Sequence, residues 1–203
     1  MLLRALFRGG FVGGLVAFLA TAFSWSVLGW HQAAIHPLAD EAASAAFLRR
    51  QAPASGVYLL PDPHHPPTGL APDSLASHWA RQVEAARRGP VAFLAVRAQG
   101  QDLRNPAWMA NTVSIHLLGA SLLTLLLWPL RRRSYWRRWS LLMLAVAAGG
   151  VLNQLPYWNW WHMGPAWTLT TLADLLCCWG LAGLVIAWAA GAGRAGHGPG
   201  HMP

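Results

Sequence analysis

The chain predicts an all-α integral membrane four-helix bundle with a small α/β extracytoplasmic cap between helices 1 and 2. Three observations predict it. Of 203 residues, 55% are hydrophobic and 11% are charged, whereas a soluble domain carries about 25% charged residues. Four apolar stretches, with one acid among them, are long enough to cross a bilayer: residues 11–30, 108–130, 139–155 and 166–190. The arginines also divide by segment. Arg4, Arg8, Arg131, Arg132, Arg133, Arg137, Arg138 and Arg194 flank the apolar runs without an acid, while the other seven share residues 31–107 with six of the seven acids. Basic, acid-free flanks are retained in the cytoplasm.

Residues 1–30 make the cytoplasmic N-terminus and first span. Residues 11–30 are twenty positions without a charge, about 30 Å as a helix. Ala20-Thr21-Ala22 mimics a signal-peptide cleavage site, but the apolar run continues for eight residues beyond it, past the usual length of such a core. The expectation is an uncleaved span.

Residues 31–107 form the extracytoplasmic cap. Pro53, Pro61, Pro63, Pro66, Pro67, Pro72 and Pro90 prevent a single helix. Asp40 caps a helix through Arg50, and Asp73 caps a second over 74–88 that stops at Gly89-Pro90. In the second, Leu75, Trp79 and Val83 recur every four residues as one buried face. Residues 57–60 and 91–96 read as strands. A helix between two strands predicts a parallel pair.

Residues 108–130 are the second span, bounded by Trp108 and Trp128-Pro129. Residues 131–138 are a short basic cytoplasmic loop, 139–155 the third span, 156–165 an aromatic outer turn and 166–190 the fourth span. Residues 191–203 read as a disordered cytoplasmic tail. Trp158, Trp160, Trp161, Trp167, Trp30 and Trp108 are the expected interface anchors, because tryptophan gathers where membrane meets water. All 15 basic residues are arginine. With abundant alanine, glycine and proline, this points to a GC-rich bacterial genome and a multi-pass protein of the inner membrane, with both termini cytoplasmic.

Each span has one face of small or polar residues, expected to point inward. The faces are Gly10, Gly14, Ala17, Thr21, Ser24 and His31; Thr112, His116, Gly119 and Thr124; Ala145, Ala148, Gly149 and Asn153; and Thr170, Asp174, Cys177 or Cys178, and Leu181. Asp174 matters most, because an intramembrane carboxylate is costly. It lies seven residues past Trp167, roughly 10 Å deep at the helical rise. His116 and Ser24 lie at a similar depth, so an Asp174–His116 pair is expected at the base of an outward-facing polar pocket, with Asn153 and Gln154 shallower. Such a pair would handle a proton, a cation or a polar headgroup, or would merely clasp two helices.

The net charge of +8 invites nucleic acid, but the basic residues sit where cytoplasmic loops are expected, so no nucleic-acid partner follows. Cys177 and Cys178 are adjacent in an apolar run and imply no disulfide. No metal site is expected; His31 and His162, both at the outer interface, are the weak candidates. A haem with two axial histidines is not expected, since His116 alone is clearly buried in a span. The cofactor is unknown, and the aromatic belt is compatible with a lipid or quinone. No catalytic motif stands out. The sequence therefore predicts a non-enzymatic bacterial inner-membrane accessory, assembly or interaction subunit, whose partners are the bilayer and another membrane protein or complex. The alternative is a small transporter or ligand-binding protein using an outward pocket at Asp174 and His116.

Overall fold

The computed structural model describes residues 1–69 and 71–191; the tail expected at 191–203 lies outside them except for Gly191. Among the described residues, four helices are long and apolar enough to cross a membrane: α1 (Leu2–Val27), α5 (Pro106–Leu130), α6 (Tyr135–Trp161) and α7 (Pro165–Gly191). They belong to one compact unit. Residues Pro37–Asp102 form a second.

In the first unit α7 is the central helix. It packs along α6 and along α1, and α1 packs along α5; α5 and α6 meet over only a short length. The core holds Ala17, Ala120, Leu127, Leu142, Val146, Ala182 and Ile186. Close approach depends on glycine. A Cβ on Gly14 would stand 2.8 Å from the Leu117 Cα, and one on Gly13 would stand 2.7 Å from the Ile186 side chain. Packing of this kind drives helix association in lipid, where burial from water contributes little.

The helix ends differ from the sequence expectation. α1 begins at Leu2 and is π-helical over Leu6–Val12. α6 begins at Tyr135, because the Ser134 hydroxyl caps it at the Arg137 N–H, 3.4 Å. The basic loop expected at 131–138 is thus shortened, and Arg138 is buried in a helix. At its other end α6 runs through Pro156 to Trp161. The expected outer turn of 156–165 is therefore mostly helix. One proline removes a single backbone bond, and neighbouring helices support membrane helices across such sites. His162, at a left-handed φ of 53°, ends the helix.

The second unit contains α3 (Glu41–Gln51), β1 (Gly56–Leu60), α4 (Pro72–Arg88) and β2 (Ala92–Val96). The Asp40 carboxylate caps α3 by accepting from the Ala43 N–H at 2.8 Å, as the sequence predicts. α4 instead starts with Pro72 in its first turn and Ala71 at the cap, so Asp73 lies within the helix. The strands pair antiparallel, Gly56 opposite Val96 and Leu60 opposite Ala92, which corrects the parallel expectation. The physical reason is the long connection 61–71: at about 3.3 Å per residue it can run back the length of β1, adding one reversal of direction. The face of α4 is also corrected. His78 is buried with Ser74, Gln82 and Ala85 partly covered, while Leu75, Trp79 and Val83 are exposed. The two stripes are one residue, about 100°, apart on the helix.

Candidate functional site

The site forms where the chain leaves α1. Leu28 ends that helix, and Gly29, at a left-handed φ of 68°, turns the chain into the short helix α2 (Trp30–Ala33). A side chain rarely adopts that conformation, and glycine does so freely. The turn is tied down by Trp30 Nε1 donating to Ser24 Oγ at 2.8 Å and Gln32 Nε2 donating to the Trp25 carbonyl at 2.8 Å. It buries His31 to 1% exposure. Trp25 stacks on the imidazole with centroids 3.9 Å apart, and Trp30 and Trp167 meet it edge-on at 5.7 and 6.5 Å.

Asp174 lies two turns beyond Trp167 on α7, and its Oδ2 is 3.8 Å from His31 Nε2. Its Oδ1 accepts from the Cys178 thiol, one turn further on, at 3.3 Å. The Cys178 thiol also lies against the Thr21 hydroxyl. Thr21 Oγ1 is 3.2 Å from His116 Nε2, and His116 Nδ1 is 2.8 Å from the Thr112 carbonyl. A carbonyl only accepts, so Nδ1 carries the proton and, in the neutral ring, Nε2 accepts from Thr21. His116 stacks on Trp179 with centroids 6.0 Å apart. One polar chain therefore connects His31, Asp174, Cys178, Thr21 and His116 across α2, α7, α1 and α5.

The expected direct Asp174–His116 pair is corrected. The imidazole beside Asp174 is His31, and His116 joins through Cys178 and Thr21. Ser24 is buried and occupied by Trp30. Trp25 and Cys178 were not anticipated as site residues, although the i,i+4 spacing of Asp174 and Cys178 already placed them on one face. Of the expected interface anchors, Trp30 and Trp167 are half-buried against His31, and Trp158, Trp160, Trp161 and Trp108 are exposed. His162 is exposed at the end of α6, whereas His31 is engaged with Asp174.

Asn153 and Gln154 lie elsewhere. α6 buries Arg138, Leu142, Val146 and Gly150, so its inward face is rotated by one residue from the expected Ala145, Ala148, Gly149 and Asn153. Ala148, Gly149 and Asn153 are exposed. Likewise α7 buries Cys178 and Ala182 and exposes Cys177 and Leu181. The rotation opens a groove of about 380 Å³ between α5 and α6, lined by Gly119, Gly149, Gly150, Leu175 and Trp179. Asn153 and Gln154 sit at one end of it, where Gln154 donates to Asn153 Oδ1 at 3.2 Å and accepts from Thr171 Oγ1 at 3.4 Å.

In the second unit Asp62 organises its own turn. It accepts from the His64 N–H at 2.8 Å and pairs with His65 Nδ1 at 2.7 Å. Burial raises its pKa, but the His64 amide, the His65 ring and the two histidine charges outweigh this and hold the carboxyl below its usual value. Among the described residues no group of three or more His, Cys, Asp or Glu side chains is placed to hold a metal. No protein-family model matches this chain, no curated protein matches it, and no solved structure matches it.

Proposed function

We propose that the chain is an accessory, assembly or interaction subunit of the bacterial inner membrane, non-enzymatic, with both termini cytoplasmic and residues 37–102 outside. The observation that carries the reading is the groove between α5 and α6. A self-sufficient bundle closes its helices on one another. Here Gly149 lines the groove with nothing within 4 Å of where its Cβ would be, whereas Gly119 and Gly150 are already covered by Trp179 and Leu175 of α7. Small residues let a further helix approach closely, and the Asn153–Gln154 amides offer it hydrogen bonds. The exposed Leu75, Trp79 and Val83 stripe on α4 supports the same reading, since an apolar stripe left uncovered marks a contact surface.

Extraction from the native membrane in mild detergent, followed by native mass spectrometry, tests this. The expected result is a defined heavier complex, lost in Gly149→Leu while the chain itself stays folded. A chain that is alone, monodisperse and fully functional would overturn it. The His31–Asp174 pair favours a second reading, a small transporter or ligand-binding membrane protein. Under that reading Asp174→Asn abolishes transport or binding and leaves folding intact.

A further inference from the structure

We infer that the arginine-rich end of the first unit binds anionic phospholipid, with two guanidinium–indole stacks seating the phosphate. The inference rests on the reading that the four long helices cross a membrane. It uses neither the groove, nor a partner subunit, nor the direction of insertion.

The start of α1, the end of α5, the start of α6 and the end of α7 meet at this end. Gly9 of α1 lies against Thr124 of α5, and Gly13 of α1 against Ile186 of α7. Arg138 of α6 donates through Nε to the Ala187 carbonyl of α7 at 2.8 Å, and through Nη1 to the Arg131 and Arg133 carbonyls. The end carries Arg4 and Arg8 from α1, the run 131–133, and Arg137 and Arg138 from α6. Asp174 is the one acidic residue of the first unit. It pairs with His31 and lies thirteen residues before Ala187, roughly 20 Å at the helical rise. The positive charge of this end therefore has no acidic side chain of its own unit to balance it.

Two of the guanidiniums are held in place. Arg8 lies over the Trp188 ring, 5.3 Å from its centroid, and Arg131 over the Trp128 ring at 5.0 Å. Arg131 Nη1 also donates to the Trp128 carbonyl at 3.2 Å. Both arginines are exposed. A guanidinium stacked on an aromatic face is oriented in advance, and its planar fork matches two oxygens of a phosphate. Tryptophan gathers at the level of lipid headgroups, so the stacks stand where phosphates are.

The surroundings favour a lipid over a dissolved anion. Toward the middle of the bundle, each stack is followed by exposed apolar side chains. These are Phe11 of α1 and Leu184 of α7 beside the first, and Leu125 and Leu122 of α5 beside the second. A soluble phosphate would use the guanidiniums and leave these side chains without a role, whereas an acyl chain covers them. Net charge selects among lipids. A zwitterionic headgroup brings its own cation to an end that offers no acidic residue to receive it, and an anionic headgroup does not.

The test is native mass spectrometry of the full-length protein in a nonionic detergent. It is titrated with an equimolar mixture of phosphatidylglycerol and phosphatidylcholine carrying the same acyl chains, and separately with glycerophosphoglycerol, the anionic headgroup without chains. The expected result is retention of phosphatidylglycerol in preference to phosphatidylcholine, with no retention of the free headgroup. The double variant Arg8→Lys with Arg131→Lys keeps both charges but replaces each fork by a point charge. With its helices intact by circular dichroism, it should lose the preference. Equal retention of the two lipids by the parent protein would overturn the proposal while leaving the membrane reading standing. Retention of the free headgroup as strongly as the lipid would assign the end to a soluble anion and overturn it too. An undiminished preference in the folded lysine variant would remove the two stacks as the seats. If the double variant does not fold, each single lysine variant is read in the same way. A chain that stays in solution without detergent and retains neither lipid would remove the membrane reading and this proposal together.

Discussion

Arg138 donates through Nε to the Ala187 carbonyl at 2.8 Å, joining the first turns of α6 to the last turn of α7. Its Nη1 also donates to the Arg131 and Arg133 carbonyls. Tyr135 and Trp139 reach the neighbouring carbonyls of Leu184 and Gly180 at 3.2 and 3.1 Å. These carbonyls compensate a guanidinium that would otherwise be a buried charge without partners. Arg138→Ala should destabilise the protein by about 2–3 kcal/mol, the worth of a hydrogen bond from a charged donor plus the unpaired acceptors. Arg137→Ala, at an exposed position, should change little. Unfolding in a denaturing-detergent titration compares the two.

Gly191 follows from the same contact. A Cβ there would collide with the Arg138 guanidinium. Gly191→Val should therefore lower stability in the parent protein. In Arg138→Ala the added cost should shrink, which a double-mutant cycle measures.

The glycines of α1 and α6 should respond in opposite ways. Gly14→Ala would push a methyl against the Leu117 backbone, and overpacking of this kind costs about 1–3 kcal/mol. Gly149→Ala meets nothing and should be neutral, or stabilising by up to about 1 kcal/mol through helix propensity. Thermal unfolding of both variants in detergent checks the contrast.

Trp30→Phe keeps an aromatic side chain, though a smaller one, and removes the N–H that Ser24 Oγ accepts from. Ser24 is 2% exposed, so a buried hydroxyl loses its partner at a cost of about 1–2 kcal/mol. Ser24→Ala combined with Trp30→Phe should recover part of that loss, again read by thermal unfolding.

Asp62 predicts an acid-sensitive turn. Its carboxyl is held below its ordinary value of 3.8 in the folded chain. The stabilisation is therefore present above that ordinary value and is lost as pH falls through the lower, folded value. Protection of the His64 amide from hydrogen exchange, corrected for intrinsic rate, should drop in that strongly acidic range. Asp62→Asn should remove the pH dependence.

The four apolar helices were legible because hydropathy and length do not depend on what packs against what. The Asp40 cap was legible for a similar reason, since it is completed within one helical turn. Asp174 was legible as the costly residue, and His31, Thr21, Ser24 and His116 as inward positions. Their pairing was not. Helix periodicity says which residues share a face, and it does not say which neighbouring helix that face meets. His31 reaches Asp174 only because Gly29 turns the chain back onto α7.

The remaining differences have the same origin. Pro156 and Arg138 carry local signals for a turn and a basic loop, yet α6 runs through both because α7 packs along it and accepts from Arg138. Small residues looked like an inward face on every span, yet on α6 Ala148 and Gly149 face out, toward a groove left open among the described residues. In the second unit, strand identity was local, whereas strand direction depended on the path of residues 61–71. Composition and spacing settle which segments are helices and where charge is expensive, because those are properties of short stretches. Rotation of each helix, the partner of each polar group and the order of strands are collective. They are set by the total packing and hydrogen bonding of segments distant in sequence, and only the folded chain decides them.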